Sequence, residues 1–277
     1  MNQGYSGNSL EKKGNKVIKT YKKSTVETVQ KILDFTNYCA EKGFCNFATL
    51  NYNNEGTCQI IYKFIEGNIK EISMLNTKEY ITLGDFLGDF HRKVKNYSKD
   101  RLINKIKNID FPMAVKGLNN LKENFYTNEY KKIFMLNKEK IVAVQNILFT
   151  EGVIHGDMHL NNIIQNENKL FIIDYDQASS FPRIYEVLRF FFESINIGQD
   201  TKENIFQNLL IYLRSYNKRQ QFSIKEKRWM ISFYFSVLLK DYSVYETDNV
   251  PFQTKRLIRM KFISTHFDTL NKIVSLI

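Results

Sequence analysis

Between Val153 and Asp176 the chain reads VIHGDMHLNNIIQNENKLFIIDYD. The apolar run Gly152-Val153-Ile154 delivers His155-Gly156-Asp157 and then Asn162, and the run Leu170-Phe171-Ile172-Ile173 delivers Asp174 and Asp176. An apolar run that ends in a carboxylate is how a buried strand presents a reactive side chain at its rim. Asn166-Glu167-Asn168 reads as a hairpin turn, so the two runs are expected to pair and bring their polar ends together. Asp157, Asp174, Asp176 and Asn162 gathered in one place need a cation, and hard oxygen donors suit Mg²⁺. Such a cluster suits phosphoryl transfer, in which a protein mainly positions charged groups and offsets negative charge. Turn capping also uses Asp and Asn, but it does not demand this spacing.

At these positions the sequence resembles the aminoglycoside phosphotransferase and choline kinase family, relatives of the protein kinases. His155, Gly156, Asp157 and Asn162 match its HGDxxxxN pattern, and Ile173, Asp174 and Asp176 match its IDxD pattern. The resemblance implies that Asp157 accepts or orients the proton of an acceptor hydroxyl. It implies that Asn162 and Asp174 hold Mg²⁺ on the phosphates of ATP, with Asp176 counted among the metal-side carboxylates. The implied fold class is α+β, a bilobal protein-kinase-like fold with a small β-rich N-terminal lobe and a larger, mainly helical C-terminal lobe. The lobes would be residues 1–67, binding nucleotide, and 68–277, carrying catalysis and the acceptor.

Several elements must position these residues. Gly4-Tyr5-Ser6-Gly7-Asn8-Ser9 is a small, polar turn, and Lys16-Val17-Ile18-Lys19-Thr20-Tyr21 reads as a strand. In a kinase-like lobe the first would cover the phosphates, with Ser6, Gly7 and Asn8 closest, because small residues let backbone N–H groups approach phosphate oxygens. The second would carry the phosphate-binding Lys19. From Ser24 the spacing becomes helical, with Val26, Val29, Leu33, Thr36 and Ala40 on one face and Gly43 as a stop. Glu27 and Asp34 are both candidates for the helix acid that pairs with Lys19; Ser24 and Glu27 also fit a capping box, so Asp34 is preferred. Phe47–Tyr52 and Thr57–Ile65 read as a hairpin, and Phe64-Ile65-Glu66-Gly67 resembles the family's hinge, placing the backbone of Phe64 and Ile65 at the adenine edge.

Beyond Gly67 helical spacing prevails. Leu83, Phe86, Leu87, Phe90, Val94 and Tyr97 form one stripe, Leu136–Leu148 another helix, and Arg183–Arg189 a helix beginning just after Pro182. Glu186 stands where the family usually has an Asp that braces the catalytic loop. His155 reads as a prop for that loop, whereas His159 could face substrate, imidazole being a poor Mg²⁺ ligand. Lys225–Tyr242 is apolar on most sides, a buried helix. Trp229, Tyr234, Tyr242 and Tyr245 could pack as core or cage a quaternary ammonium.

Composition sets the remaining bounds. The chain has 277 residues, 43% hydrophobic and 25% charged, enough for a substantial core and for two lobes. No stretch approaches a membrane span, and the N-terminus lacks the apolar core of a signal peptide. Cys39, Cys45 and Cys58 are an odd set without nearby histidines, so free thiols and a cytoplasmic location are expected. The net charge of +11 comes from basic residues spread along the chain; this favours attraction of ATP over a nucleic-acid interface. Asp241, Glu246 and Asp248 are too few acids for a polycationic acceptor, so a neutral or singly charged alcohol fits better. The expected activity is ATP-dependent phosphorylation of a small-molecule alcohol. Two other classes compete with it, a protein kinase and a non-catalytic nucleotide-binding structural protein of the spore-coat kind. No DFG or APE segment supports the first, and a scaffold has no physical need for Lys19, Asp157, Asn162 and Asp174 together.

Overall fold

The computed structural model describes residues 8–72, 75–103, 106 and 109–277. The first strands, β1 (Ser9–Lys13) and β2 (Lys16–Thr20), form a tight antiparallel hairpin in which Lys13 faces Lys16. The hairpin expected from the sequence follows as β3 (Ala48–Tyr52) and β4 (Cys58–Lys63), and the four strands order as β1-β2-β4-β3. Helix α1 (Val26–Glu41) lies between the two hairpins in sequence and covers one face of the sheet. Val29, Ile32 and Leu33 of the helix pack with Tyr21, Ala48, Cys58 and Ile60 of the sheet. The alternation of a strand explains which residues point inward. Lys19 pairs with Ile60, and the Tyr21 amide bonds the Cys58 carbonyl at 2.9 Å, so Lys19 and Tyr21 share the covered face. The cap of α1 is Thr25, whose hydroxyl accepts from the Thr28 amide at 3.2 Å, in place of the Ser24–Glu27 box read from the sequence. Val26, expected on the apolar face, is exposed.

The segment after residue 150 corrects the expected pairing. The turn at Glu167-Asn168 does close a hairpin, but its strands are β7 (Ile163–Asn166) and β8 (Lys169–Ile172). The earlier apolar run, β6 (Glu151–Ile154), pairs instead with β9 (Ser179–Pro182). Between Ile154 and Ile163 the chain needs room for the polar loop, and Ile163 already begins a strand, so the nearest hairpin partner for β8 is β7. A short strand β5 (Asn68–Ile69) adds to the outer edge of β7. The Ile172 amide also reaches the Phe44 carbonyl at 2.7 Å, which ties β8 to the end of α1.

The rest is helical: α2 (Thr77–Val94), α3 (Phe111–Asn120), α4 (Phe125–Leu136), α5 (Lys138–Gln145), α6 (Arg183–Glu193), α7 (Lys202–Arg219), α8 (Ile224–Lys240), α9 (Val250–Thr265) and α10 (Phe267–Ser275). The helix expected over Leu136–Leu148 is the shorter α5, set off from the end of α4 by Asn137, whose side-chain amide turns back to the Ile133 carbonyl at 2.8 Å. Packing divides the chain into two units. One holds the described residues within Met1–Met74, Phe90–Ile106 and Gly152–Phe181; the other holds those within Leu75–Asp89, Lys107–Glu151 and Pro182–Ile277. The polar segment 152–181 therefore packs with the N-terminal sheet, and a cut at Gly67 does not follow the packing. All three cysteines are free thiols. Among the described residues no helix is long and apolar enough to cross a membrane.

In the helical unit α8 packs on α5, α6 and α10 and is buried along most of its length. Its neighbours α6 and α9 are joined by charge: Arg259 lies 2.6 Å and Lys255 3.0 Å from the Glu193 carboxylate. Burial alone would raise the Glu193 carboxyl, but the two cations outweigh it and hold the group well below its ordinary value of 4.5. A depressed folded-state value adds stability that is present above about pH 4.5 and fades as the pH falls toward the folded-state value. Glu193→Gln leaves the buried Arg259 uncompensated and should cost about 3 kcal/mol at pH 7. Urea denaturation at pH 7 and below pH 4 checks this, the gap from wild type narrowing in acid.

Candidate active site

The loop after β6 is held from beneath by His155, which is fully buried. Its Nε2 lies 3.0 Å from the Ile173 carbonyl and its Nδ1 lies 3.3 Å from the Asp157 amide. A carbonyl can only accept and an amide N–H can only donate, so these contacts select the neutral Nε2–H tautomer. His155 thereby ties the residue before Asp174 to the backbone of Asp157. Asn162 closes the loop from the other end, donating from Nδ2 to the Asp157 carbonyl at 2.9 Å. The Ile173 amide bonds the Asn162 carbonyl at 3.0 Å. Asp157, Asn162 and Asp174 are thus brought together, as the spacing of the two motifs led us to expect.

Two backbone features shape this loop. Gly156 sits at φ +83°, and a Cβ there would collide with the Gln177 carbonyl oxygen. Asp174 itself is left-handed, with φ 63° and ψ 68°, and opens a 3₁₀ turn over Tyr175–Gln177. A non-glycine residue in that region is uncommon, and such backbone concentrates where a side chain must be aimed. Tyr175 anchors the turn with its ring, edge-on to Phe35 of α1 at 5.6 Å and tilted against His155 at 5.1 Å.

Lys19 ends its side chain between two carboxylates, 2.8 Å from Asp174 Oδ1 and 2.8 Å from Asp176 Oδ2. Burial lowers the affinity of its amine for a proton, but the two acids outweigh this and the group is shifted upward on balance. Lys19 is therefore a charged ammonium at neutral pH. The preferred helix partner does not reach it. Asp34 accepts from Gln30 at 2.7 Å on the exposed side of α1, and Glu27 pairs with Lys31 at 3.0 Å. The physical reason is the carboxylate pair, which already supplies the charge that a helix acid was expected to provide.

Of the proposed phosphate-covering residues, Ser6 and Gly7 lie outside the described residues. Asn8 is buried and donates to Asp176 Oδ2 at 3.2 Å. The Phe64 amide is committed to the Asn15 carbonyl at 2.7 Å, and Lys12 sits 3.6 Å over the Phe64 ring. Phe64 and Ile65 line a cavity of about 540 Å³ together with Lys12, Asn46, Asn166 and Phe171. Two further residues join the site, Tyr21, which was not singled out, and His159. Tyr21 donates its hydroxyl to Asp176 Oδ1 at 2.8 Å, backed by the Tyr62 hydroxyl at 3.4 Å. His159, considered earlier only as a possible substrate contact, places Nε2 3.5 Å from Asp157 Oδ2. The signal for Tyr21 was its position two residues after Lys19 on one strand.

Whether these residues suit a divalent cation can be judged from their donors. Asn162 uses Nδ2 within the loop and leaves Oδ1, and Asp174 uses Oδ1 on Lys19 and leaves Oδ2 on a side chain that is 42% exposed. Both are hard oxygens, the type Mg²⁺ takes beside phosphate and water ligands. Among the described residues no group of three His, Cys, Asp or Glu could hold a metal ion by itself. A cation held by Asn162 Oδ1 and Asp174 Oδ2 would take its remaining ligands from water or from phosphate oxygens.

Residues 10–216, well over half of the chain, match the phosphotransferase enzyme family, known as APH. The chain belongs to this family, the aminoglycoside phosphotransferase and choline kinase group whose members are kinases of small-molecule hydroxyls. Its fold is similar to that of solved relatives. The GDP and kanamycin complex of APH(2″)-IIIa superposes with a TM-score of 0.69 at 12% identity, covering 96% of this chain and 92% of that one. Amicoumacin kinase hAmiN, in complex with AMP-PNP, Ca²⁺ and Ami, gives 0.62 at 14% identity over 93% and 88%. A choline/ethanolamine kinase family protein from Mesorhizobium loti gives 0.64 at 12% identity over 99% and 90%. Among curated proteins no sequence matches significantly. The expected architecture, an antiparallel N-terminal sheet followed by a mainly helical remainder, is the one these structures share.

Gly156→Ala tests the loop. It meets both a left-handed backbone and the Gln177 carbonyl, and should cost more than about 2 kcal/mol. Gly14→Ala meets only the backbone condition, since nothing lies within 4 Å of its Cβ position. Melting temperatures of the two variants should rank with Gly156→Ala lower.

Proposed function

We propose that this kinase transfers the γ-phosphoryl group of ATP to the hydroxyl of a small, neutral or singly charged alcohol. The observation that carries the reading is the geometry around Asp174: Lys19 at 2.8 Å on one oxygen, and Asn162 linked through the Ile173 amide on the other side. Lys19 would meet the phosphates. Asn162 Oδ1 and Asp174 Oδ2 would hold Mg²⁺, which when bound offsets phosphate charge. Asp157 would orient the acceptor hydroxyl and take its proton, its backbone fixed by His155 and Asn162. Asn8, with Ser6 and Gly7 before it, would close over the phosphates, and the backbone of Phe64 and Ile65 would meet the base. Asp34 drops out of the nucleotide site, and the lobes remain functional divisions at 1–67 and 68–277. The nucleotide and divalent cation present in the amicoumacin kinase complex are of the classes proposed.

For the acceptor, the four aromatic residues of the C-terminal region do not form one box. Tyr234 is buried and stacked on Phe192 at 5.5 Å, and Trp229 carries the Arg228 guanidinium at 5.4 Å. The Tyr242 ring lies against Gly117, where a Cβ would collide with it. Tyr245 lines a cavity of about 570 Å³ whose wall also includes Glu246 and Asp248.

Binding and turnover test the proposal separately. ATP with Mg²⁺ at ~100 times its dissociation constant should add about 2.7 kcal/mol of stability, read as a rise in melting temperature. Asp157→Asn should keep this rise and slow single-turnover transfer by ~10²–10⁴-fold, while Asp174→Asn should lose both. Absence of any shift with millimolar ATP and Mg²⁺ overturns the nucleotide reading. A normal shift without transfer to any of a panel of amino alcohols, sugars and polyols points to a non-catalytic nucleotide-binding protein.

A further inference from the structure

The two carboxylates beside Lys19 are unequal. Asp174 commits one oxygen to the ammonium and is 42% exposed. The Asp176 side chain is 7% exposed and both of its oxygens are engaged. Oδ1 accepts from the Tyr21 hydroxyl at 2.8 Å; Oδ2 faces Lys19 at 2.8 Å and accepts from Asn8 at 3.2 Å. All three donors belong to the N-terminal segment that carries Lys19. Each carboxylate oxygen has two lone pairs; Oδ2 of Asp176 uses both, on Lys19 and Asn8, and Oδ1 uses one on Tyr21. A cation on this buried side chain would have to share it with the Lys19 ammonium and weaken hydrogen bonds to buried donors, which carries a desolvation cost.

We propose that Asp176 is a positioning residue that holds the Lys19 ammonium in place of an acid from α1, and is itself held by Tyr21 and Asn8. The proposal rests on the phosphoryl-transfer reading and changes one part of it: Asp176 leaves the metal site. Both ion pairs of Lys19 are with Asp174 and Asp176 and neither is with an acid of α1, where Asp34 bonds Gln30 and Glu27 bonds Lys31. The Asp174 contact is the exchangeable one. With nucleotide and metal bound, Asp174 would be available to the metal and Lys19 to a phosphate oxygen, while the Asp176 contact would hold the lysine. Asp176 follows Asp174 on the same 3₁₀ turn, so the lysine and the metal-side carboxylate are set by one rigid piece of chain.

A double-mutant cycle decides between positioning and ligation. AMP-PNP affinity is measured by calorimetry at saturating Mg²⁺, and the Mg²⁺ concentration for half-maximal binding is measured separately. The proteins are wild type, Asp176→Asn, Lys19→Met, the double variant and Tyr21→Phe. Asp176→Asn should weaken AMP-PNP by about tenfold, as expected for a hydrogen bond between charged groups, with the half-saturating Mg²⁺ unchanged. In the Lys19→Met background it should have no further effect, because its partner is gone. Tyr21→Phe should weaken AMP-PNP by about threefold, the loss of one hydrogen bond to the carboxylate, again without moving the Mg²⁺ requirement. A raised half-saturating Mg²⁺ in Asp176→Asn, additive with Lys19→Met, makes Asp176 a ligand and overturns the proposal. If Asp176→Asn does not fold, Tyr21→Phe decides alone: unchanged AMP-PNP affinity overturns the proposal, and weakened affinity at an unchanged Mg²⁺ requirement upholds it. If Lys19→Met binds AMP-PNP and Mg²⁺ as wild type does, the phosphoryl-transfer reading itself is overturned, and the proposal falls with it.

Discussion

A lysine ammonium almost out of contact with water is the constraint around which the first unit is built. Lys19 is 5% exposed, and an isolated charge at that depth would give up its proton instead of staying ionised. Asp174 and Asp176 prevent this, and they come from 155 and 157 positions further along the chain. Strand β2 must therefore lie in one register over the 3₁₀ turn at Tyr175. A slip of one residue would send Lys19 to the opposite face of the sheet and leave both acids uncompensated. Buried ionic groups of this kind contribute little net stability, because desolvation offsets most of the attraction. Their value here is that they permit one arrangement.

The rest of the unit serves that arrangement from below. Phe35 of α1 presses edge-on against Tyr175, and Tyr175 against His155, so the helix reaches the polar loop through aromatic contact and not through an ion pair. His155 converts that packing into hydrogen bonds, one to the residue before Asp174 and one to the amide of Asp157. A neutral imidazole with one donor and one acceptor does this without adding a charge next to three carboxylates. Alanine would fill none of these roles, and a lysine or arginine would compete with Lys19 for the acids.

What the sequence made legible follows from locality. HGDxxxxN and IDxD each fall within a few residues of chain, and their side chains converge because each sits at the end of a short strand. Asp157, Asn162 and Asp174 could be named on that basis, and Lys19 from its place on an apolar strand in a lobe that the resemblance implies. Pairing of β6 with β9 was not legible, since a turn signal at Glu167-Asn168 identifies a hairpin but not the far end of its strands. The partner of Lys19 was missed for a related reason. Helical spacing offers Glu27 and Asp34 as plausible acids, yet the choice among acids is made by burial, and nothing in the local pattern of α1 shows that Asp34 faces outward. Tyr21 carried a readable signal, the two-residue spacing from Lys19. Its hydroxyl becomes meaningful only once Asp176 is known to lie opposite.

Charge also bears on the proposed use of a metal-bound nucleotide. Lys19 is one ammonium set among the carboxylates of Asp157, Asp174 and Asp176, all within a single packed unit. The formal balance of those four groups is negative, although the whole chain carries +11. The long-range field thus draws a polyphosphate toward the protein, whereas the last few ångströms oppose it. In the proposed reading, a divalent cation held by Asp174 would offset that opposition, and Lys19 would keep Asp176 as a partner. A preference for the metal complex over free nucleotide would then follow from placing one lysine between two acids, with no dedicated discriminating residue.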